Sequence, residues 1–266
     1  MSRYENTFFQ GEEAEERRPS GWAAMLRRVD TVVSTQEAAK ELAEQGAPEG
    51  TAVMAEEQTG GRGRQGRRWH SPKGKGIWMS VVLRPSIPLQ LTPQLTLLAG
   101  AAVCSAIRRE TGVEAGIKWP NDLLVNGRKL CGILLESCAW PSGLQYTIAG
   151  IGISANLAEE DYPEELRKIG TSLLIESGRE TEREELARAV LKELETLYGV
   201  YLEQGLDPIA ALWSEQSVTL GRRVMLRTPE GPQEGTAVRL EEDGGLVVLR
   251  TDGETETLYA GEIALI

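Results

Sequence analysis

Histidine is almost absent from this chain of 266 residues: His70 is the only one. A single imidazole excludes histidine-clustered zinc sites and makes a Ser-His-Asp hydrolase a poor fit. Cysteine is scarce too. Cys104, Cys131 and Cys138 are odd in number and lack metal-ligand spacing. They read as thiols of a reducing, cytoplasmic setting, not as a disulfide framework. No apolar run approaches the roughly 20 residues needed to span a membrane. Residues 1–20 are charged where a secretion signal would be apolar. Acidic residues are missing from one long basic segment. Between Gln58 and Arg109 there is no Asp or Glu, against nine Lys or Arg, in a chain of net charge −11. That acidic total argues against nonspecific nucleic-acid binding by the whole surface and confines cationic chemistry to one place. Any reaction here falls to Lys, Arg, carboxylates and backbone groups.

What is present in that segment is Gln58-Thr-Gly-Gly-Arg-Gly-Arg-Gln-Gly-Arg-Arg-Trp69. Arg62, Arg64, Arg67 and Arg68 are interleaved with Gly61, Gly63 and Gly66. Glycine lets backbone N–H groups approach a ligand closely, and the planar guanidinium matches carboxylate and phosphate. The loop is suited to wrapping an anion. Gly61-x-Gly63-x-x-Gly66 also matches the dinucleotide fingerprint, but it runs into Trp69-His70-Ser71-Pro72 and not into an amphipathic helix, so a Rossmann turn is a poor reading.

Residues 1–24 read as a polar tail. Ser34 and Glu37 form an S-x-x-E capping box that predicts a helix ending near Gly46. Thr51–Ala55 and Ile77–Leu83 predict strands. Thr92 as N-cap with Pro93 behind it opens an apolar-periodic helix that Gly112 ends. Leu123–Val125 and Leu130–Leu135 flank the Asn126-Gly127 turn of a hairpin, and residues 144–153 form another buried strand. A second capping box, Thr181 to Glu184, opens a helix to Tyr201, with a shorter one over 207–216. From Thr219 the pattern changes to short strands (Val224–Leu226, Ala237–Leu240, Leu246–Leu249, Thr257–Tyr259) separated by Pro-Glu-Gly-Pro, Asp-Gly-Gly and Asp-Gly turns. The expected division is a larger unit over 25–217 and a small β-barrel over 218–266.

Three further motifs follow the loop. Lys118-Trp119-Pro120-Asn121-Asp122 reads as a tight turn. Lys129-Leu-Cys-Gly132-Ile-Leu-Leu-Glu136 is an apolar strand with a lysine at its start and a glycine inside it. Gly150-Ile-Gly152-Ile-Ser154-Ala-Asn156 is a strand with glycines where side chains belong, either a bulge or a slot for a flat ligand. Each alone has an ordinary structural explanation.

Their order and spacing are more specific. G-R-G-R-x-G-R-x-W, K-W-P-N-D, K-L-x-G-I-L-x-E and G-I-G-I-x-x-N, in that order, resemble the biotin–protein ligases over roughly residues 28–266. The resemblance implies an α+β fold: a catalytic domain on a mixed β-sheet with flanking helices, then a small SH3-like barrel. It implies a reaction in which biotin and ATP give biotinyl-5′-AMP and pyrophosphate, after which a lysine of a biotin carboxyl carrier protein takes the biotin. Mg²⁺ would arrive on the phosphates with few protein ligands, so no protein metal site is expected.

By the same resemblance Arg62, Arg64 and Lys129 offset the repulsion between carboxylate and polyphosphate. Asp122 is a base or orienter for the acceptor amine, or only a turn residue. Ser34, Thr35, Gln36, Gln58, Gly61, Arg62, Gly63, Arg64 and Lys129 surround biotin, with Gly132, Gly150 and Gly152 as the floor of its bicyclic ring. Arg64, Trp69, Lys118, Asn121, Lys129, Ser154 and Asn156 fall near the nucleotide. The chain departs from the family in having Val33-Ser34-Thr35-Gln36 for Asp-Ser-Thr-Asn, and Ser154 where Asn is common. About 27 polar residues precede the expected catalytic unit, too few for the helix-turn-helix domain of many relatives, so operator DNA binding is not expected. A homodimer and a monomer are both open. The alternatives are a lipoate-type ligase running the same adenylate chemistry, and a nucleic-acid module stacking bases on Trp69 and Trp78.

Overall fold

The computed structural model describes residues 19–141, 143–228 and 231–266. Most of the expected N-terminal tail lies outside them. The chain is already ordered before residue 25, however: Gly21–Met25 is a 3-10 turn that buries Trp22 against Tyr198, ring centroids 5.3 Å apart. A strand that sequence reading missed follows at once, β1 (Leu26–Val32), and then α1 (Thr35–Glu44) and β2 (Ala52–Gln58). β1 and β2 pair in parallel, with α1 as the crossover. Its charged positions hide β1 from a periodicity scan, since only two of its seven residues are buried.

β3 (Gly76–Leu83), α2 (Gln94–Thr111), β4 (Gly116–Lys118), β5 (Asp122–Val125), β6 (Arg128–Trp140) and β7 (Gly143–Ser154) complete the larger unit's sheet. Its order is β1-β2-β3-β7-β6-β5-β4, all neighbours after the first pair being antiparallel. The sheet is therefore mixed, as expected. β3 lies in its interior, and all eight of its residues are buried, which is why it reads as a continuous apolar run. The β5–β6 turn places Asn126 at φ 51° and Gly127 at φ 78°, the two positive φ values that an Asn-Gly hairpin turn needs.

Helices α2, α4 (Arg183–Gln204) and α5 (Asp207–Glu215) cover one face, and the short α3 (Leu173–Ser177) precedes α4. Among the described residues only Leu89–Thr111, which contains α2, is long and apolar enough to cross a membrane, but Leu95, Leu98, Ala102, Cys104 and Ile107 are all 0% exposed in the core. Burial pushes the Cys104 thiol up to about 11 and raises that of Cys131 further.

The two capping boxes do not form. Ser34 does cap α1, accepting from Gln36 N at 3.2 Å, but the Glu37 carboxylate turns to Arg62. Thr181 precedes α4, whose cap position is Glu182 without a side-chain bond. Thr92 is likewise not a capping acceptor; it sits in a 3-10 turn and donates to Leu89 O.

The second sheet is antiparallel, built from β8 (Arg223–Thr228), β9 (Gly231–Leu240), β10 (Leu246–Arg250), β11 (Thr255–Leu258) and β12 (Ile263–Leu265) in the order β11-β10-β9-β8-β12. β12 was not foreseen. This sheet shares the main core: Val224, Leu226, Ala237, Leu246, Val248 and Ile263 pack with residues of the first unit. A backbone bond joins the two units as well, Val218 N donating to Ile117 O at 3.0 Å.

Leu98 lies at the centre of that shared core. Leu98→Ala is expected to cost about 3 kcal/mol in urea unfolding, whereas Lys40→Ala on the exposed face of α1 stays within about 0.5 kcal/mol.

Candidate functional site

The Gly-Arg loop leaves the end of β2 and returns as an irregular hairpin, with Trp69 N donating to Gly61 O at 2.9 Å and Gly63 N to Arg67 O at 2.7 Å. Three of its arginines reach other parts of the fold, and the fourth folds back. Arg62 lies between Glu37 of α1, at 3.4 Å, and Glu136 of β6, at 3.6 Å. Arg64 donates to Asn121 Oδ1 at 2.7 Å and to Gly261 O at 2.9 Å. Arg67 grips Glu262 with both terminal nitrogens, at 2.8 and 2.6 Å. Arg68 folds back on Thr59 O at 3.2 Å. The Arg67 hydrogen bonds lower the Glu262 carboxyl below its ordinary range and in turn raise the guanidinium.

Under the loop is a cavity of about 640 Å³. A chain of buried polar groups forms one side. Gln58 Nε2 donates to Ser71 Oγ at 2.9 Å, and Gln58 Oε1 accepts from Thr35 N at 2.9 Å. The Thr35 hydroxyl lies 2.8 Å from that of Ser80, which donates to Gln36 Oε1 at 3.1 Å. Gln36 then donates to Leu134 O and Ile148 O, at 3.3 and 3.2 Å. Unpaired, these groups would be expensive to bury; paired, they are held in one geometry beside the cavity. Ser80 was not singled out from sequence, because it is one polar residue inside an apolar run.

The glycines have a more specific reason than sequence offered. The Trp69 indole lies against β6 and β7. A Cβ on Gly132 would come 2.8 Å from Trp69 Cζ3, and one on Gly152 would come 2.5 Å from Trp69 Nε1. A Cβ on Gly150 would meet Gln36 Oε1 at 2.5 Å. The slot read from these glycines accommodates the protein's own indole and amide, with the cavity beside them.

Lys129 Nζ lies 2.7 Å from Asp122 Oδ1 and 5.2 Å from the centre of the Trp69 ring. Lys118 is held nearby, and burial lowers its amine from the ordinary range. Asn121 is pinned by Nδ2 to Ile133 O at 2.9 Å, and the Trp119–Pro120 peptide before it is cis. The K-W-P-N-D turn thus faces the strand that carries Lys129.

Of the residues that the resemblance assigns to the biotin, nucleotide and catalytic sites, all border this cavity except Gly61 and Asn156. Gly61 faces Ser71, Trp69 O and Gln58, where a Cβ would stand within 2.9 Å of each. Asn156 lies past the end of β7. It exchanges two bonds with Thr181, at 3.0 and 2.9 Å, and so anchors the segment leading into α4. Two walls were missed. One runs from Tyr162 to Gly170; the other is Glu262–Leu265, from the second sheet. Neither carries a motif. Tyr162 is set by its hydroxyl, which donates to Thr171 O at 2.6 Å, and burial raises it to about 12.

Gly152→Ala forces the indole off β7. It is expected to lose about 1–3 kcal/mol in chemical unfolding, and Trp69→Leu in that background should recover part of the loss; equal stability of Gly152→Ala and wild type would refute the packing.

The model of the biotin/lipoate A/B protein ligase family matches residues 29–154, and that of the biotin protein ligase C-terminal domain matches residues 219–265. The bifunctional ligase/repressor BirA of Bacillus subtilis (strain 168) is 43% identical over 236 residues, 89% of this chain and 72% of that protein. The biotin--[acetyl-CoA-carboxylase] ligase of Mycobacterium tuberculosis is 33% identical over 252 residues, 92% of this chain and 90% of its own. Among solved structures, the biotin protein ligase from Aquifex aeolicus in complex with biotin and ATP matches with a TM-score of 0.78 at 33% identity, covering 91% of this chain and 98% of that one. The Gly-Arg loop, the K-W-P-N-D turn and the second sheet that closes on them place this chain in the biotin/lipoate A/B protein ligase family, among its biotin protein ligases.

Proposed function

We propose that this protein joins biotin to ATP as biotinyl-5′-AMP, releasing pyrophosphate, and then passes the biotin to a lysine of a biotin carboxyl carrier protein. The observation that carries this reading is one cavity in which Arg62, Arg64, Lys118 and Lys129 meet the buried polar chain of Thr35, Gln36 and Gln58. The relative from Aquifex aeolicus is described with biotin and ATP together. Residues 25–217 would hold both substrates, and residues 218–266 would contribute the wall around Glu262.

In the first step a biotin carboxylate oxygen attacks the α-phosphorus and the bond to the bridging oxygen of pyrophosphate breaks. Two anions must meet, and the pentavalent phosphorus gathers further negative charge. Arg62, Arg64 and Lys129 are the cations placed to offset both. Thr35 and Gln58, fixed by their own hydrogen bonds, offer preorganised partners for the ureido group. In the second step the neutral ε-amine of the carrier lysine attacks the acyl carbon, AMP leaves, and the amine proton must depart. Asp122 is the carboxylate at hand. Mg²⁺ would lower the charge of the polyphosphate. The residues fit a cation carried in by the nucleotide, since among the described residues there is no cluster of three His, Cys, Asp or Glu to hold one, and the carboxylates of the cavity are engaged by Lys129 and Arg67.

Purified protein is expected to catalyse pyrophosphate–ATP exchange that depends on biotin. Exchange with lipoate in place of biotin would transfer the reading to the sister chemistry, and silence with both acids would remove it.

Asp122→Asn should slow transfer to the carrier lysine about a hundredfold and slow adenylation less. Single-turnover measurement of the two steps separates them, and equal losses in both would assign Asp122 to the turn alone.

A further inference from the structure

Two adjacent residues just before β12, Gly261 and Glu262, receive two arginines of the loop. Arg64 donates to Gly261 O at 2.9 Å, and Arg67 forms the two-pronged pair with Glu262. The receiving segment runs directly into a paired strand. Glu262 precedes β12, whose Ile263 is 1% exposed, and β12 is paired with β8 through Ile263–Leu226, Ala264–Met225 and Leu265–Val224. The loop side is the opposite kind of structure, a Gly-rich segment with exposed arginines and Gln65 at φ 56°. A glycine-rich loop that ends on a carboxylate beside a paired strand can act as a closure, and here it lies over the cavity, since Arg64, Arg67 and Glu262 all border it.

We propose that Glu262 is a positioning residue: through Arg67 it holds the Gly-Arg loop shut on the second sheet, and so retains the acyl-adenylate until the acceptor amine arrives. This rests on the adenylation reading above. A mixed anhydride is lost to water if the site opens early, and a loop fixed at two adjacent points resists opening more than one held at either point alone. Arg64 needs the second point, because its guanidinium is divided between Asn121 and Gly261 O. Without Arg67, the contact of Arg64 with Gly261 O would be the loop's remaining tie to the second unit. The pair contributes modestly, being partly exposed, so the effect belongs in the dwell time of the intermediate and not in the fold.

The test loads the full chain with biotin and ATP, removes free ligand, and follows adenylate loss. Glu262→Gln is expected to shorten the half-life about two- to fivefold. Arg67→Gln should do the same, and the double variant should lose no more than either single one. Arg227→Gln is the control. Arg227 also neighbours Glu262, at 3.5 Å, but from β8; its removal should leave the half-life as in wild type. Rising salt should shorten the wild-type half-life toward that of the variants. An equal or longer half-life in Glu262→Gln overturns the latch, as does an equal loss in Arg227→Gln, which would mark a general loosening of the second sheet. Absence of biotin-dependent exchange in the wild type defeats the adenylation reading itself, and the latch with it.

Discussion

The constraint on which this molecule turns is the need to keep four arginines close together without letting them repel one another out of order. The loop solves it by dispersal. Arg62 ends on α1 and β6, Arg64 on the K-W-P-N-D turn and Gly261, and Arg67 on the adjoining Glu262, while Arg68 folds back on the loop itself. Each guanidinium therefore has a local acceptor, and the loop ties together walls that are distant in sequence. Glycines at 61, 63 and 66 make such a path possible for a chain that must turn tightly between long side chains. The second sheet, which packs into the same core, supplies acceptors that the first unit lacks.

The polar chain from Ser71 through Gln58, Thr35 and Ser80 to Gln36 is the complementary solution on the other side of the cavity. Arginines tolerate water and can move. Buried amides and hydroxyls cannot be left unpaired, so they are fixed. One wall is thus adjustable and charged, the other preorganised and neutral. This division suits a ligand with a neutral ring at one end and an anion at the other, as the proposed reaction requires.

Much of this arrangement was legible in the sequence, for identifiable reasons. The central strand β3 and the core face of helix α2 are mostly apolar, and the Asn126-Gly127 turn has the backbone signature that only such residues adopt easily. What escaped was set by tertiary contact. β1 is a charged edge strand, and its register comes from pairing with β2 and not from alternation. Glu37 and Glu184 sit at capping-box spacing, yet Glu37 turns to Arg62 and Glu184 to Arg28 and Arg188, where charge offers more than a backbone N–H. The cavity-facing motif residues were found because charge and glycine are locally visible. Asn156 stood in a motif but serves the anchoring of α4, and Gly61 makes room for Ser71. The Tyr162–Gly170 and Glu262–Leu265 walls have no composition of their own. Only the fold brings them to the site.

The acidity of the whole chain then acquires a physical role. With a net charge of −11, a bare cationic loop would be drawn to whatever carboxylates lie within reach, and in this structure it is: Glu37, Glu136 and Glu262 all hold loop arginines. An anionic ligand entering the cavity must compete with these internal partners, so its binding exchanges one set of ion pairs for another. Such an exchange costs little when the ligand leaves and gains little from a weakly charged competitor. It favours a ligand whose charge is concentrated where several arginines converge, which describes a polyphosphate meeting a carboxylate better than either alone. Interactions of that kind strengthen as charge develops on the transferring phosphorus, and only interactions stronger in the transition state than in the ground state accelerate a reaction.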